Sequence, residues 1–334
     1  MILLLALAAA AAAPQPGQLR TFGDWIVGCD NGLGCQAVAL FPEPELTGAS
    51  LTLKREAEAG AVPEIWLTLR DETGGRPQAA ALIVDGQRFA LAADRKGSPA
   101  PRDPAGVAAR IGQSKRISVL DDEGKELGLV SVKGSAAALL YVDEQQRRLG
   151  TTGALVRRGP ATQIPPPQAL PMVVEMKGSG AVMPVPLSHE RIDKLRKAGE
   201  CDPDLDLADY RPEALRLDGR TTLVLIRCWQ AAYNGSSLVL VGRKGDGSDL
   251  APARFDYTAS AGERIGPAVP PDGAYWDEEK SRLASFFKGR GLGDCGSGQE
   301  WAWDGTRFRL VHEEAMGECR GSTDYITTWR AVVR

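Results

Sequence analysis

The 334 residues predict a mainly β fold with short helices, arranged as two β-sandwich-like antiparallel domains. Three observations lead there. Short apolar runs punctuated by Gly, Asn and Asp recur along the chain, as in FGDWIVGCDNGLGCQAVAL (22–40) and EWAWDGTRFRLV (300–311). Six cysteines, an even number behind an apolar N-terminus, read as disulfides of an oxidising compartment. A chain of this length is long for one core, and a proline-dense stretch divides it near the middle.

The N-terminal stretch is apolar from Ile2 to Ala13, too short to span a bilayer but suited to the h-region of a signal peptide over residues 1–13. Ala11 and Ala13 fit an A-x-A cleavage site, and cleavage one residue earlier fits equally because Pro14 hinders cutting after Ala13. An uncleaved anchor is the rival reading, since the basic n-region is missing. No cysteine stands at the cut for lipid attachment, and no later stretch reaches transmembrane length. The expected location is periplasmic or secreted.

The first domain is expected over residues 20–158. Its opening reads as two strands joined by a turn that Cys29 and Cys35 close. LIVDGQRFALA is a hairpin turning at Asp85-Gly86, and RISVLDDEGKELGLVSV one turning around Glu123-Gly124. In DPAGVAARIG, Asp103 is an N-cap, Pro104 stands at the first helical position, and Val107 and Ile111 share a face. GSAAALLYVDEQQRRLG is a second helix with Ser135 as cap and Gly150 as stop. Residues 159–187 form the linker, with seven prolines between Gly159 and Pro186, and Val173 to Glu175 placed to add an edge strand.

The second domain is expected over residues 188–334. SHERIDKLRKAG is a helix capped by Ser188 and ended at Gly199. TTLVLIRCWQAAYNGSSLVLVGR is a hairpin with Asn234-Gly235 as a type I′ turn, central in its sheet because both faces are apolar. WDEEKSRLASFFKG is a third helix, from Asp277 to Gly289. In EWAWDGTRFRLV a two-residue Asp304-Gly305 loop sets Trp301 against Phe308 and Glu300 against Arg309, with the aromatic face inside.

Chemistry is sparse. The net charge of -3 leaves no nucleic-acid footprint. GLGDCG (291–296) has dinucleotide-loop spacing, but such a loop must open a helix, and here a hairpin follows, so a turn pinned by Cys295 is expected instead. No G-x-S-x-G, no C-x-x-C and no complete H-E-x-x-H occurs. His189 is expected in a first helical turn and His312 at an exposed strand end. Asp202, Asp204, Asp206 and Asp209 lack the turn glycine and closing glutamate of a calcium loop. Trp301, Trp303, Tyr233 and Asn234 are the candidate ligand contacts, Tyr233 the most exposed and the tryptophans better suited to core. No cofactor and no metal are implied. Among 15 possible cysteine pairings, local spacing favours Cys29–Cys35, Cys201–Cys228 and Cys295–Cys319. Reductant is then expected to melt the second domain before the first, because its two loops contribute about 3.5 kcal/mol each.

GRGLGDCG, WAWDG, CRG and TTWRA resemble the C-terminal signature of a domain of unknown function in exported bacterial proteins, and RCWQAAYN is similar to its central hairpin. The FGDW…C…C opening and VKGSAAALLYVDEQQRRLG resemble the invasion-associated locus B family. The resemblance implies a periplasmic or surface β-sandwich and carries over no catalytic residue. The expected function is therefore a non-catalytic binding or structural module for an envelope polymer or protein. The alternative is a hydrolase of envelope glycan working through carboxylates about 5–9 Å apart in a cleft.

Overall fold

The computed structural model describes residues 13–334 apart from 45, 74, 76, 95, 177, 179–186, 207–209 and 258–272. The apolar run up to residue 12 and Asp209 thus lie outside the described residues, as do Pro184 and Pro186.

Two five-stranded sheets build the first half. One runs in chain order through β1 (Arg20–Phe22), β2 (Trp25–Cys29), β3 (Cys35–Ala39), β4 (Gly48–Arg55) and β5 (Glu64–Arg70). The other contains β6 (Ala81–Val84), β7 (Gln87–Ala93), β8 (Pro99–Pro101), β9 (Ile117–Leu120) and β10 (Glu126–Val130), in the order β10-β9-β6-β7-β8. Leu51, Leu53 and Leu67 of the first pack on Leu82, Ile117 and Val119 of the second. Helices α1 (Pro104–Ile111) and α2 (Ser135–Gln145) close this core with Val107, Ile111, Leu139 and Val142. As expected, Asp103 caps α1 by accepting from the Gly106 N–H, and Val84 faces Gln87 across an Asp85-Gly86 turn. The cap of α2 differs from expectation. Gly134, at a φ of 96° that an L side chain resists, takes the N-cap position, while the Ser135 hydroxyl donates to Ile111 and Val132 carbonyls. The helix ends at Gln145, before Gly150.

After α2, β11 (Met172–Val173) runs parallel to the last strand, and α3 (His189–Ala198) follows its Ser188 cap. The second half has a four-stranded sheet of β12 (Glu213–Arg216), β13 (Thr222–Gln230), β14 (Gly235–Gly242) and β15 (Ala251–Pro252). A five-stranded sheet follows, of β16 (Ala274–Asp277), β17 (Arg282–Lys288), β18 (Gly296–Trp303), β19 (Phe308–Met316) and β20 (Ile326–Arg330), before β21 (Val332–Val333). Leu223, Leu225 and Val239 pack on Leu283, Trp301, Phe308 and Leu310 between these sheets, while α3 covers the opposite face of β13 and β14 through Ile192. The apolar character of both faces of β13 thus has its cause.

Three elements of the second half correct the expectations. Residues 274–288 form a β16–β17 hairpin, not a helix. Asp277 accepts from the Lys280 N–H, a bond that serves a turn as well as an N-cap, and Leu283 and Ser285 pair across to Trp301 and Gln299. The loop of the next hairpin has four residues, not two. The Asp304 carboxylate accepts from the Thr306 and Arg307 N–H groups, so Trp303 faces Phe308 and Trp301 faces Leu310. Ala302 faces Arg309, and Glu300 faces His312 and pairs with Lys280 in place of Arg309. Asn234-Gly235 is no two-residue turn either: Gln230 faces Gly235 across a loop of residues 231–234.

The outer face of β2 and β3 is buried against the second half, where Ile26, Val38 and Leu40 meet Met316 and Ile326. Every residue of β2 and β3 is accordingly buried. Among the described residues, no helix is long and apolar enough to cross a membrane.

Candidate functional site

A cleft of about 450 Å³ opens where β5, the edge of its sheet, passes the β7–β8 hairpin. That volume falls in the range of small-ligand and peptide sites, about 300–1,000 Å³. Leu67 and Leu69 supply an apolar floor with Ala79 and Ala92. Thr68, Gln78 and Ser98 add neutral polar groups, Lys96 one ammonium, and Asp324 one carboxylate from the far end of the chain. Among the described residues β5 is hydrogen-bonded as a strand to β4 alone, so one side of its backbone faces the cleft. An extended segment laid there gains main-chain hydrogen bonds from the edge and side-chain contacts from the floor.

Asp324 reaches the cleft because residues 319–325 cross the first sheet as a strap. Arg320 donates to the Phe41 carbonyl at 2.8 Å and to Asp24 at 3.0 Å. Arg70 donates to the Gly321 carbonyl at 3.1 Å. The Gln36 amide donates to the carbonyls of Asp324 and Tyr325, and the Thr52 hydroxyl to the Asp324 carboxylate at 2.7 Å. Burial works to raise the Asp24 carboxyl, but hydrogen bonds from Ser131 and Arg320 outweigh it and hold the group below its ordinary range. Further along, Arg330 exchanges two backbone hydrogen bonds with the Asn31 side chain and pairs with Asp30 and Glu56. The motifs FGDW and CDN near one end therefore meet CRG and TTWR near the other.

The sequence candidates fall elsewhere. Trp301 and Trp303 are buried, their indole N–H groups donating to the Tyr257 carbonyl and to Asp218. Trp301 is wholly enclosed in the core, whereas Trp303 also lines a cleft of about 210 Å³ with Val241, Arg243 and Thr306. Tyr233 is 46 % exposed on the 231–234 loop, and a Cβ at Gly291 would lie 3.6 Å from its ring. Asn234 gives both ends of its amide to the Lys288 backbone, so it welds this loop to the end of β17. GLGDCG connects strands β17 and β18, and its Asp294 accepts from Arg290 and the Gly321 N–H. The strand before it, β17, replaces the expected helix, and the loop leads into strand β18 rather than into a helix. The structure holds disulfides at Cys29–Cys35, Cys201–Cys228 and Cys295–Cys319. His189 opens α3, whereas His312 lies half-buried inside β19 rather than at a strand end. Among the described residues no three His, Cys, Asp or Glu side chains gather as a metal site.

Two features escaped sequence reading. The cleft has no local signature, since an edge strand and a central strand share one alternation. The second is Glu313, buried in β19, whose oxygens accept from Gln299 and, at 3.0 Å, from Thr328. Burial pushes the Glu313 carboxyl up despite these bonds, and burial together with Glu313 pushes the Tyr257 phenol up to about 12. A raised carboxyl pKa means that the fold favours the protonated form, so stability falls as pH rises from the unfolded value through the folded one. Glu313→Gln should therefore melt higher than the parent at neutral pH and converge with it in acid. Melting curves across pH check this, and a variant uniformly less stable at every pH would refute it.

The sequence profile of a family described as "Protein of unknown function (DUF1176)" matches residues 19–333. Among curated proteins, the "Uncharacterized protein YpfG" of Escherichia coli (strain K12) is 31% identical over 337 residues, covering 93% of this chain and 92% of that protein. No solved structure matches the chain.

Proposed function

Because the chain belongs to the DUF1176 family, whose profile spans nearly all of it, we propose that it is an exported, non-catalytic binding module of the bacterial envelope. Its ligand in this reading is an extended polymer or protein segment lying along β5. The apolar start and Ala11-x-Ala13 support export, with cleavage after residue 12 or 13. The GLGDCG, WAWDG and CRG motifs, and the likeness of the opening to the invasion-associated locus B family, support the same compartment.

One observation carries the binding role. The cleft sets a free strand edge beside an apolar floor, and among the described residues its lining brings one carboxylate, Asp324, that is already bonded to Thr52. A glycan hydrolase working through carboxylates needs two that converge. Here the recognisable chemistry is main-chain pairing and shape.

Thr68→Arg and Gln78→Arg, on half-buried and exposed lining positions, fill the cleft without touching the core. Surface changes of this kind shift stability by about 0.5 kcal/mol or less. Cosedimentation of the mature chain with isolated cell-wall sacculi, and capture from envelope extracts, should fall about tenfold in the doubly substituted chain, a loss of about 1.4 kcal/mol. Equal capture by both forms would sink the cleft as the site. Release of soluble glycan from the sacculi would favour the hydrolase.

A further inference from the structure

We propose that the Cys295–Cys319 disulfide is a redox latch holding residues 319–325 as a strap across the first sheet and as one wall of the cleft. The first part stands on strap geometry alone. Only the consequence for ligand affinity rests on the binding role proposed above.

The three disulfides differ in what they hold. Cys29–Cys35 closes one hairpin, between directly paired residues. Cys201–Cys228 ties the end of α3 to β13 within the second half. Residues beside Cys29 and Cys35 also bind the other half, Asp30 and Asn31 to Arg330 and Gln36 to Asp324, but they belong to a hairpin that is itself paired. Cys319 instead opens the unpaired strap, whose Arg320 binds Phe41 and Asp24, Gly321 binds Arg70, and Asp324 binds Gln36 and Thr52. One end of the strap is anchored by the disulfide and by the bond from the Gly321 N–H to Asp294, beside Cys295. The other end is anchored by pairing of β20 with β19 and by Ile26, Val38 and Ile326 in a shared core. Cutting the disulfide thus removes the strap's cross-link to Cys295 and leaves β19 and β20 paired at its two ends. Asp324 then withdraws from the cleft and the outer face of β4 and β5 opens.

Cys319 is half-buried whereas Cys295 is buried, so the outer sulfur is the one a reductant meets. A thiolate of a dithiol reductant attacks Cys319 Sγ, forms a mixed disulfide and expels the Cys295 thiolate. The second thiol of the reductant attacks its own bound sulfur and releases the Cys319 thiolate. Two electrons pass from the dithiol, which becomes a disulfide, and two protons end on the cysteines.

Hydrogen exchange read by mass spectrometry on the mature chain tests the latch. Compared are the parent, Cys295→Ala/Cys319→Ala, Cys201→Ala/Cys228→Ala, and the parent in tris(2-carboxyethyl)phosphine at concentrations at which mass spectrometry finds this one disulfide open. In the first variant and the reduced parent, peptides over 319–325 and the Phe41 amide should exchange as an open loop, about tenfold faster than neighbouring β20. Meanwhile β6 and β9 keep their protection, and β13 and β20 lose only what the global loss of about 3.5 kcal/mol takes from them. Cys201→Ala/Cys228→Ala should leave the strap protected. Unchanged protection of 319–325 without the disulfide overturns the proposal. So does loss of protection throughout β16–β20 as large as that of the strap, which would make the bond a general staple, and so does strap release in the Cys201→Ala/Cys228→Ala chain. Sacculus binding by the strap-released chain is read separately. Strap release with unchanged binding keeps the latch and removes the cleft wall from recognition.

Discussion

Replacing all four cysteines of the second half by alanine should destabilise it by about 7 kcal/mol, enough to leave β12–β20 unfolded at 37 °C. Sequence separations of 27 and 24 residues correspond to about 3.5 kcal/mol each in chain entropy. The sum rivals the whole stability of a typical domain, about 5–15 kcal/mol. The first half should outlast it, because its two sheets and two helices share a core to which the second half does not contribute. It does not escape untouched, however. Unfolding of the last sheet strips cover from Ile26, Val38 and Leu40, so the remaining fragment should melt below the intact protein and expose an apolar face. Limited proteolysis with intact-mass detection reads the outcome: a resistant fragment ending near the proline-rich stretch is expected. Digestion of the first half ahead of the second, or a melting temperature within a few degrees of the parent, would refute it.

What could be read in advance follows the range of the interactions concerned. α1 and α3 were legible because their signals are local: Asp103 and Ser188 sit where a side-chain oxygen meets the N–H three residues on. The Asp85-Gly86 turn was legible for the same reason, both residues having positive φ. The β16–β17 hairpin was misread because Asp277 makes the same contact in a turn as at a cap, and only pairing with β18 distinguishes them. Both remaining hairpins were misjudged by two residues. A four-residue loop is stabilised in one by Asp304 and in the other by the attachment of Asn234 to Lys288, fifty-four positions away. A tertiary bond sets the Asn234 register, of which sequence offers no view, whereas Asp304 acts through a local turn that competes with the two-residue Asp-Gly loop.

The motif residues teach a related point. Asp24, Asp30, Arg320 and Arg330 stand in the most distinctive stretches of the chain, where a reader looks for catalysis. They meet as ion pairs and backbone contacts between the first sheet and the last. The cleft, by contrast, is lined by Thr, Ala, Leu and Gln, residues that draw no notice in sequence. Its existence depends on β5 being an edge and on the strap arriving from residue 324, two facts of topology.

Asp143→Ala should destabilise the first half by about 3–5 kcal/mol, more than any other single charge removal there. Arg55 and Asp143 are 2 % and 0 % exposed, with 2.8 Å between the guanidinium Nη2 and the carboxylate. Burial pulls the Arg55 guanidinium down to about 10, against the opposing pull of Asp143. The rest of the arginine is also engaged: Nε donates to Gln146 at 2.7 Å and Nη1 to the Gly153 carbonyl at 3.1 Å. The carboxylate also accepts from the Leu155 and Val156 N–H groups, so it stitches β4, α2 and the chain after α2 into one network. Truncation leaves a buried cation unpaired and two buried N–H groups unsatisfied at once. Asp143→Asn should cost less, since its carbonyl oxygen still accepts from a backbone N–H while the charge is lost. Arg55→Met added to Asp143→Ala should restore part of the stability, because it removes the stranded charge and keeps the volume. It should not restore all, for Leu155 and Val156 remain without an acceptor. Chemical denaturation of the parent, Asp143→Ala, Arg55→Met and the chain with both changes forms a cycle that checks this. If the double change is as damaging as the two single changes added together, the pair is not coupled and the network is not what holds α2 to β4.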